Sequence, residues 1–155
     1  MPTHYDGDQA TYLALNTYIK LSRATKALWT QLGRALNDYD LTLSQLGTLE
    51  ALYYLGPMCQ KDLGEKLLVT GGNITMIVNN LEKRQLVSRA RDQQDRRQVT
   101  VRLTEKGEQL MQTLFPRHAE QIAGLMGILN AEEQEQLGQL CKIIGLQTRE
   151  DGSEG

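Results

Sequence analysis

The chain has 155 residues, a net charge of −2 and two cysteines, a length that accommodates one domain with its own core. Cys59 and Cys141 lack CxxC or Cys/His spacing, which argues against a zinc site or a disulfide scaffold and fits a reducing compartment. No apolar run approaches the roughly 20 residues that span a bilayer, and the N-terminus does not resemble a signal peptide. We expect a single soluble, cytoplasmic domain over 1–155, with no metal, no cofactor and no membrane partner.

The first half of the chain is predicted to be helical. Apolar residues recur at helical spacing over 10–39, which predicts one long helix of roughly 28 residues. A helix this long cannot be covered by so small a fold, so we expect a partner subunit to share it. Thr42 and Gln45 form a capping-box pattern that opens a second helix, and Gly56-Pro57 ends it. A short third helix follows at about 60–68.

The stretch from Val69 to Val87 has the pattern of an amphipathic helix that begins after an N-cap at Thr70. Its apolar stripe consists of Ile74, Ile77, Val78 and Leu81. Its other face carries Asn73, Thr75, Met76, Asn79, Asn80 and Lys83. Asn and Thr side chains pair with base edges, and a helix of this kind fits a DNA major groove. Together with the short helix before it, the stretch predicts a helix-turn-helix; alone, it would also suit an ordinary surface helix.

A β-hairpin is predicted to follow. Residues 87–91 and 98–103 alternate apolar with polar side chains, and the polar loop between them ends in Arg96 and Arg97. Residues 83–106 carry eight Lys and Arg against three acids, a local charge of +5 that leaves −7 on the rest of the chain. Such a concentration on one element is typical of nucleic-acid binding, although the two arginines alone would also suit a solvated hairpin tip.

Two helices are predicted for the C-terminal part. Thr104 caps the first, and Pro116 within it predicts a kink. Asn130 and Glu133 form a capping pattern for the last helix, whose apolar side carries Cys141.

With these elements in order, the chain resembles the MarR family of winged helix-turn-helix transcriptional regulators. The matching segments are TGGNIT at 70–75, LEKRQLV at 81–87, DRR at 95–97 and VRLTEKG at 101–107. The resemblance implies a mainly α fold with a small β-hairpin wing. It also implies a winged helix-turn-helix at 42–107, flanked by dimerisation helices at 8–39 and 108–146.

The resemblance further implies a homodimer that binds a pseudo-palindromic operator in double-stranded DNA, most often as a repressor released by a small aromatic or lipophilic effector. Its base-reading and phosphate-contacting positions correspond here to Thr70, Gly72, Asn73, Thr75, Met76 and Asn79. Its minor-groove position corresponds to Arg97, with Arg96 as a further candidate, and Asp95 matches a carboxylate that supports the wing through an ion pair. One departure is Gln85, where the family usually has the glycine that suits a left-handed helix end.

Two alternatives remain open at this stage. The winged helix could bind another protein, although such a surface has no need of the local +5 charge. Cys59, at the start of a helix, could act as a thiol-based redox sensor, or it could simply occupy a cap position usually taken by Ser or Thr. No Ser/His/Asp arrangement, phosphate-binding glycine loop or metal-ligand cluster is present, so we expect no enzymatic activity.

Overall fold

The computed structural model describes residues 2–67, 69 and 71–150, with side chains up to residue 147. Helix α1 spans Gln9–Ala35, α2 Leu43–Leu55, α3 Gln60–Lys66, α4 Gly71–Lys83, α5 Glu105–Met126 and α6 Ala131–Glu150. The strands are β1 at Met58–Cys59, β2 at Val87–Arg91 and β3 at Val99–Leu103. This mainly helical architecture with a small antiparallel sheet is the predicted fold class.

Helix α1 is long, as predicted, but it ends four residues early. The Asp8 carboxylate accepts a hydrogen bond from the Thr11 N–H and caps its start. At the other end the Leu36 N–H bonds to the Gly33 carbonyl, and the chain tightens into a 3-10 turn over Asn37–Tyr39. Asp40 then adopts a left-handed conformation with φ 52°, which turns the chain towards α2.

Helices α2, α3 and α4 surround the core of the helix-turn-helix. The capping box at the start of α2 is confirmed, since Thr42 and Gln45 exchange both hydrogen bonds. The predicted apolar stripe of α4 points inward, although Ile77 is only half-buried. The core consists of Leu36, Leu41, Leu46, Leu49, Leu52, Leu63, Ile74, Val78, Leu81, Leu86, Val87, Val101, Met111 and Leu114.

The end of α4 keeps the backbone shape for which a glycine would be the usual residue. The Leu86 N–H bonds to the Leu81 carbonyl and the Gln85 N–H bonds to the Glu82 carbonyl, which is the pair of bonds of a Schellman motif. Gln85 stands at its left-handed position with φ 60°. The chain therefore adopts the helix end that the family it resembles usually builds with glycine, and it does so with a side chain that this conformation disfavours.

Replacing Gln85 with glycine is expected to raise the free energy of unfolding by about 0.5–1 kcal/mol, because the left-handed conformation costs glycine least. Urea unfolding followed by circular dichroism measures the change. Lys83→Gly, inside the last turn of α4, should instead destabilise the protein by a similar amount. A Gln85→Gly variant that is no more stable than the parent would contradict this account of the helix end.

The predicted hairpin is present, and it has a third strand that the sequence did not suggest. Strands β2 and β3 pair antiparallel with Val87 opposite Leu103, and β1 adds to the other side of β3 with Met58 opposite Val101. Only two residues long and directly after Pro57, β1 is too short to show an alternating pattern. It links the turn between α2 and α3 to the wing.

The C-terminal helices begin where predicted. Thr104 accepts the Gly107 N–H at the start of α5, and Asn130 and Glu133 exchange both bonds of a capping box at the start of α6. Helix α5 continues through Pro116 to Met126, so the proline does not end the helix, while the kink predicted there stays a prediction. The chain forms two compact units, Met1–His118 and Ala119–Gly155, and the predicted single domain with its internal boundaries stays a prediction.

His118 of α5 is buried, with only 7% of its surface exposed, and its Nδ1 atom has no hydrogen-bond partner among the described residues. Burial lowers the pKa of the imidazole below its ordinary value, and the nearby Glu50 carboxylate opposes this shift only in part. The neutral form is therefore the form that the fold accommodates.

Because the folded protein lowers the pKa of His118, the unfolded chain takes up a proton first as the pH falls below about 6.5. The contribution of His118 to stability is thus present above that pH and is lost as the pH falls towards the pKa of the folded protein. The free energy of unfolding changes by at most about 1.4 kcal/mol per pH unit on this account. Chemical unfolding of the parent and of His118→Phe between pH 5 and 7.5 tests this. An identical pH dependence in both proteins would contradict it.

Candidate nucleic-acid interface

The outward face of α4 is the first part of the candidate site. Gly72, Asn73 and Thr75 are exposed, Met76 exposes 59% of its surface and Asn79 is half-buried. The predicted N-cap and contact residue Thr70 lies outside the described residues. The remaining predicted side chains of the helix thus lie on or near one accessible surface, with no carboxylate in the first turn.

Thr75 is held by two hydrogen bonds on this face. Its hydroxyl donates to the Gly71 carbonyl one turn earlier at 2.9 Å, and its oxygen accepts from the Gln60 side-chain amide at 3.1 Å. Gln60 is the first residue of α3, so this bond connects the two helices of the helix-turn-helix. Glycine at position 64 allows the close approach, because a Cβ there would lie 3.2 Å from Ile74 Cγ2. Sequence reasoning did not single out Gln60.

Glu82 and Arg89 connect α4 to the wing. The Arg89 guanidinium donates to Glu82 Oε2 from Nε at 3.2 Å and from Nη2 at 2.7 Å, and the Arg89 N–H donates to Oε1 at 3.3 Å. These bonds, led by the guanidinium, hold the pKa of the Glu82 carboxyl below its ordinary value. The pair fixes strand β2 against the last turn of α4. No sequence pattern indicates this pair, since the two residues belong to different elements.

Two other cations of the basic segment are also used within the fold. The Arg84 guanidinium donates to the backbone carbonyls of Tyr39 and Asp40, and the Lys106 ammonium donates to the Arg84 carbonyl at 2.9 Å. The local +5 charge therefore overstates the cations that face solvent. Those with exposed side chains are Lys83, Arg91, Arg96, Arg97, Arg102 and Lys106, of which Lys106 makes the backbone bond.

The wing loop is ordered by its aspartates. Asp92 accepts the N–H groups of Asp95 and Gln94 at 3.0 and 2.7 Å, and these bonds lower the pKa of its carboxyl. Asp95 accepts the Arg97 N–H at 3.0 Å and lies 3.6 Å from Arg97 Nε, while the Arg97 side chain stays 95% exposed. The Asp95 carboxylate thus contacts Arg97, and its role in supporting the wing on DNA stays a prediction. The carboxylate of Asp92, which sequence reasoning passed over, accepts two of the turn's backbone N–H groups.

The remaining candidates of the sequence analysis lie elsewhere. Cys59 is half-buried at the N-cap of α3 and its side chain makes no capping hydrogen bond. Across the described part of the chain, no group of three His, Cys, Asp or Glu side chains is arranged to hold a metal ion. In the same residues, no helix is both long and apolar enough to cross a membrane.

Comparison with known proteins decides the family. Residues 32–114 match the sequence profile of the family described as Transcriptional regulator SarA/Rot. The chain is 31% identical over 140 residues to the HTH-type transcriptional regulator MhqR of Bacillus subtilis, covering 90% of this chain and 97% of MhqR. Its fold is similar to that of AbsC, a MarR family transcriptional regulator from Streptomyces coelicolor, with a TM-score of 0.82, 23% identity and coverage of 95% and 99%. The chain belongs to the MarR family of winged helix-turn-helix transcriptional regulators.

Two further structures of similar fold contain bound molecules. MepR of S. aureus in a DNA complex is 28% identical with a TM-score of 0.74, covering 83% of this chain and 96% of MepR. NadR in complex with 4-hydroxyphenylacetate is 27% identical with a TM-score of 0.70, covering 93% of this chain and 97% of NadR. As a MarR family member the chain is a transcriptional regulator, and its relatives support DNA binding.

Proposed function

We propose that this regulator binds a pseudo-palindromic operator as a homodimer, represses transcription, and is released by a small aromatic or lipophilic effector. The observation that carries the proposal is the exposed amide and hydroxyl face of α4 on the same unit as the exposed arginines of the wing. In this arrangement the major groove is contacted by the outward residues of α4 and the residue before them, namely Thr70, Gly72, Asn73, Thr75, Met76 and Asn79. Arg96 and Arg97 reach the flanking minor groove, and Asp95 supports them.

The homodimer is supported by the apolar residues that one chain leaves uncovered. Helix α1 has no buried residue, and its side chains Tyr12, Leu13, Tyr18 and Trp29 are exposed by 42–67%. The described part of α6 likewise exposes Leu137, Leu140, Ile143, Ile144 and Leu146 by 39–60%. Large apolar side chains left exposed on a helix in this number are typical of an interface between subunits. Cys141 belongs to the same helix and would pack there.

The effector is supported by an open cleft of about 610 Å³ beside α1 and the start of α2. Its lining includes Trp29, Leu41 and Leu43, with Lys26 and Ser44 as polar groups. A mostly apolar wall with a few polar groups suits a small aromatic molecule, and NadR binds 4-hydroxyphenylacetate on a similar fold. We propose further that the protein acts without catalysis and in the cytoplasm, where it meets its DNA.

The test is binding of the purified protein to the DNA upstream of its own gene, titrated at 50 and 200 mM salt beside a scrambled duplex. Tight, salt-sensitive and sequence-selective binding by a species of twice the chain mass is expected. Aromatic acids and phenols are then added to the complex, and release by one of them is expected. Weak binding that ignores sequence, both here and with duplexes selected from a random pool, would contradict the proposal.

A further inference from the structure

The geometry around Thr75 fixes the direction of each of its hydrogen bonds. A backbone carbonyl can only accept, so the bond to Gly71 at 2.9 Å uses the single hydroxyl proton of Thr75. The contact with Gln60 at 3.1 Å must then run from the Gln60 amide N–H to the Thr75 oxygen. The same requirement orients the Gln60 side chain, whose Oε1 atom is buried and has no hydrogen-bond partner in the part of the chain that the structure describes.

This pattern determines what Thr75 presents to DNA. Donating a proton to a phosphate would require Thr75 to break its bond to Gly71. The exposed residue therefore offers its methyl group and one oxygen lone pair. Its neighbour Met76 exposes 59% of its surface. Thr75 and Met76 are consecutive exposed residues of α4, and each carries a methyl group of the kind that packs against the methyl group of thymine in the major groove.

Gln60 has a specific part in this arrangement. Threonine in a helix divides between two side-chain rotamers, because its hydroxyl can bond to carbonyls of the preceding turn in either. A donor fixed on a neighbouring helix favours one of them. Gln60 is such a donor, since it is half-buried at the start of α3.

We propose that Gln60 is a positioning residue that fixes Thr75 so that its methyl group, beside Met76, contacts a thymine methyl and favours an A·T pair at one operator position. The proposal rests on the proposed function, and it assigns Thr75 to base reading by apolar contact. It also extends the DNA-reading surface to a residue of α3 whose side chain is directed towards α4.

The experiment separates the methyl group from the hydroxyl group of Thr75. Duplexes are selected from a random pool by the parent protein, and the affinity of each variant is measured for the selected duplex and for its single-base-pair substitutions. Thr75→Val keeps the shape and a methyl group, and should retain the parent preference within about twofold. Thr75→Ser keeps the hydroxyl, and should lose about fourfold in preference at one A·T pair, the effect of one methyl group.

The matched control is Thr113 in α5, which is exposed and bonds to the Gln109 carbonyl one turn earlier in the same way. Thr113→Val and Thr113→Ser should leave every base preference unchanged. Loss of preference in Thr75→Val with retention in Thr75→Ser would overturn the inference, as would a uniform loss across all duplexes in Thr75→Ser.

Gln60 is tested by Gln60→Leu alone and combined with Thr75→Val. Gln60→Leu alone should reduce the preference for the same A·T pair by about two- to fourfold. In the double variant with Thr75→Val, Gln60→Leu should cause no further loss of this preference, because branching already fixes the rotamer of valine. A loss that is equal at all base pairs, or additive with Thr75→Val, would assign Gln60 a merely structural role and overturn the inference. If the parent selects no sequence from the pool, the proposed function fails and the inference fails with it.

Discussion

Replacing Gly107 with alanine is expected to lower the free energy of unfolding by about 3 kcal/mol, a large fraction of the total stability of a small domain. A Cβ at this position would lie 2.1 Å from the Leu86 carbonyl oxygen and 3.1 Å from its carbon. That carbonyl cannot move freely, because it accepts the Thr104 N–H at 3.1 Å. Relief of the clash would shift α5 or the start of β2, and it would strain the Thr104 bonds to Gln85 and Gly107.

Thermal and urea unfolding of Gly107→Ala measure this effect. Gly124→Ala in the same helix is the matched control, since no other described residue, apart from the adjoining parts of the helix itself, comes within 4 Å of the position that a Cβ would take there. Alanine favours the interior of a helix over glycine by up to about 1 kcal/mol, so this control should be at least as stable as the parent. If both variants were equally stable, the close approach of α5 to Leu86 would be wrong.

Replacing both Arg96 and Arg97 with alanine is expected to weaken operator binding by one to two orders of magnitude while stability changes by less than about 0.5 kcal/mol. Arg96 is exposed, and Arg97 is 95% exposed with only a 3.6 Å contact to Asp95, so neither side chain is needed for folding. If both cations displace counterions from DNA, the slope of log affinity against log salt falls by about 0.9 for each, per subunit.

Fluorescence anisotropy with a labelled operator, at four salt concentrations, measures affinity and slope together. The charge-matched control combines Lys20→Ala in α1 with Lys142→Ala in α6, two exposed lysines outside the winged region. It should change the slope little. Equal losses in the two double variants would show that only the overall charge of the protein matters, and would contradict a wing that contacts DNA.

The elements that local chemistry specifies were predictable from the sequence. Thr42 with Gln45, and Asn130 with Glu133, define helix starts through side chains that need no distant partner. The amphipathic stripe of α4 and the alternation in β2 and β3 are equally local, and all were confirmed. Thr70 falls outside the described residues, and the roles of the contact residues in DNA binding stay predictions.

What the sequence did not indicate depends on contacts between distant elements. The Gln60–Thr75 and Glu82–Arg89 bonds join separate elements, and no periodicity links such residues. Strand β1 exists because β3 offers it an edge, with Cys59 opposite Thr100. The count of cations in residues 83–106 overestimated those available to DNA for the same reason. Arg84 and Arg89 look like DNA-facing cations in the sequence, whereas the fold directs them to carbonyls and to a carboxylate.

The two bonds of Arg84 give α4 a mechanical property. A guanidinium is planar and rigid, and here it is attached to consecutive carbonyls, Tyr39 and Asp40, in the turn that follows α1. Rotation of α4 about its own axis would break both bonds together. The end of α4 is thereby tied to the turn after α1, so a displacement of that turn would pull on the end of α4 through both bonds.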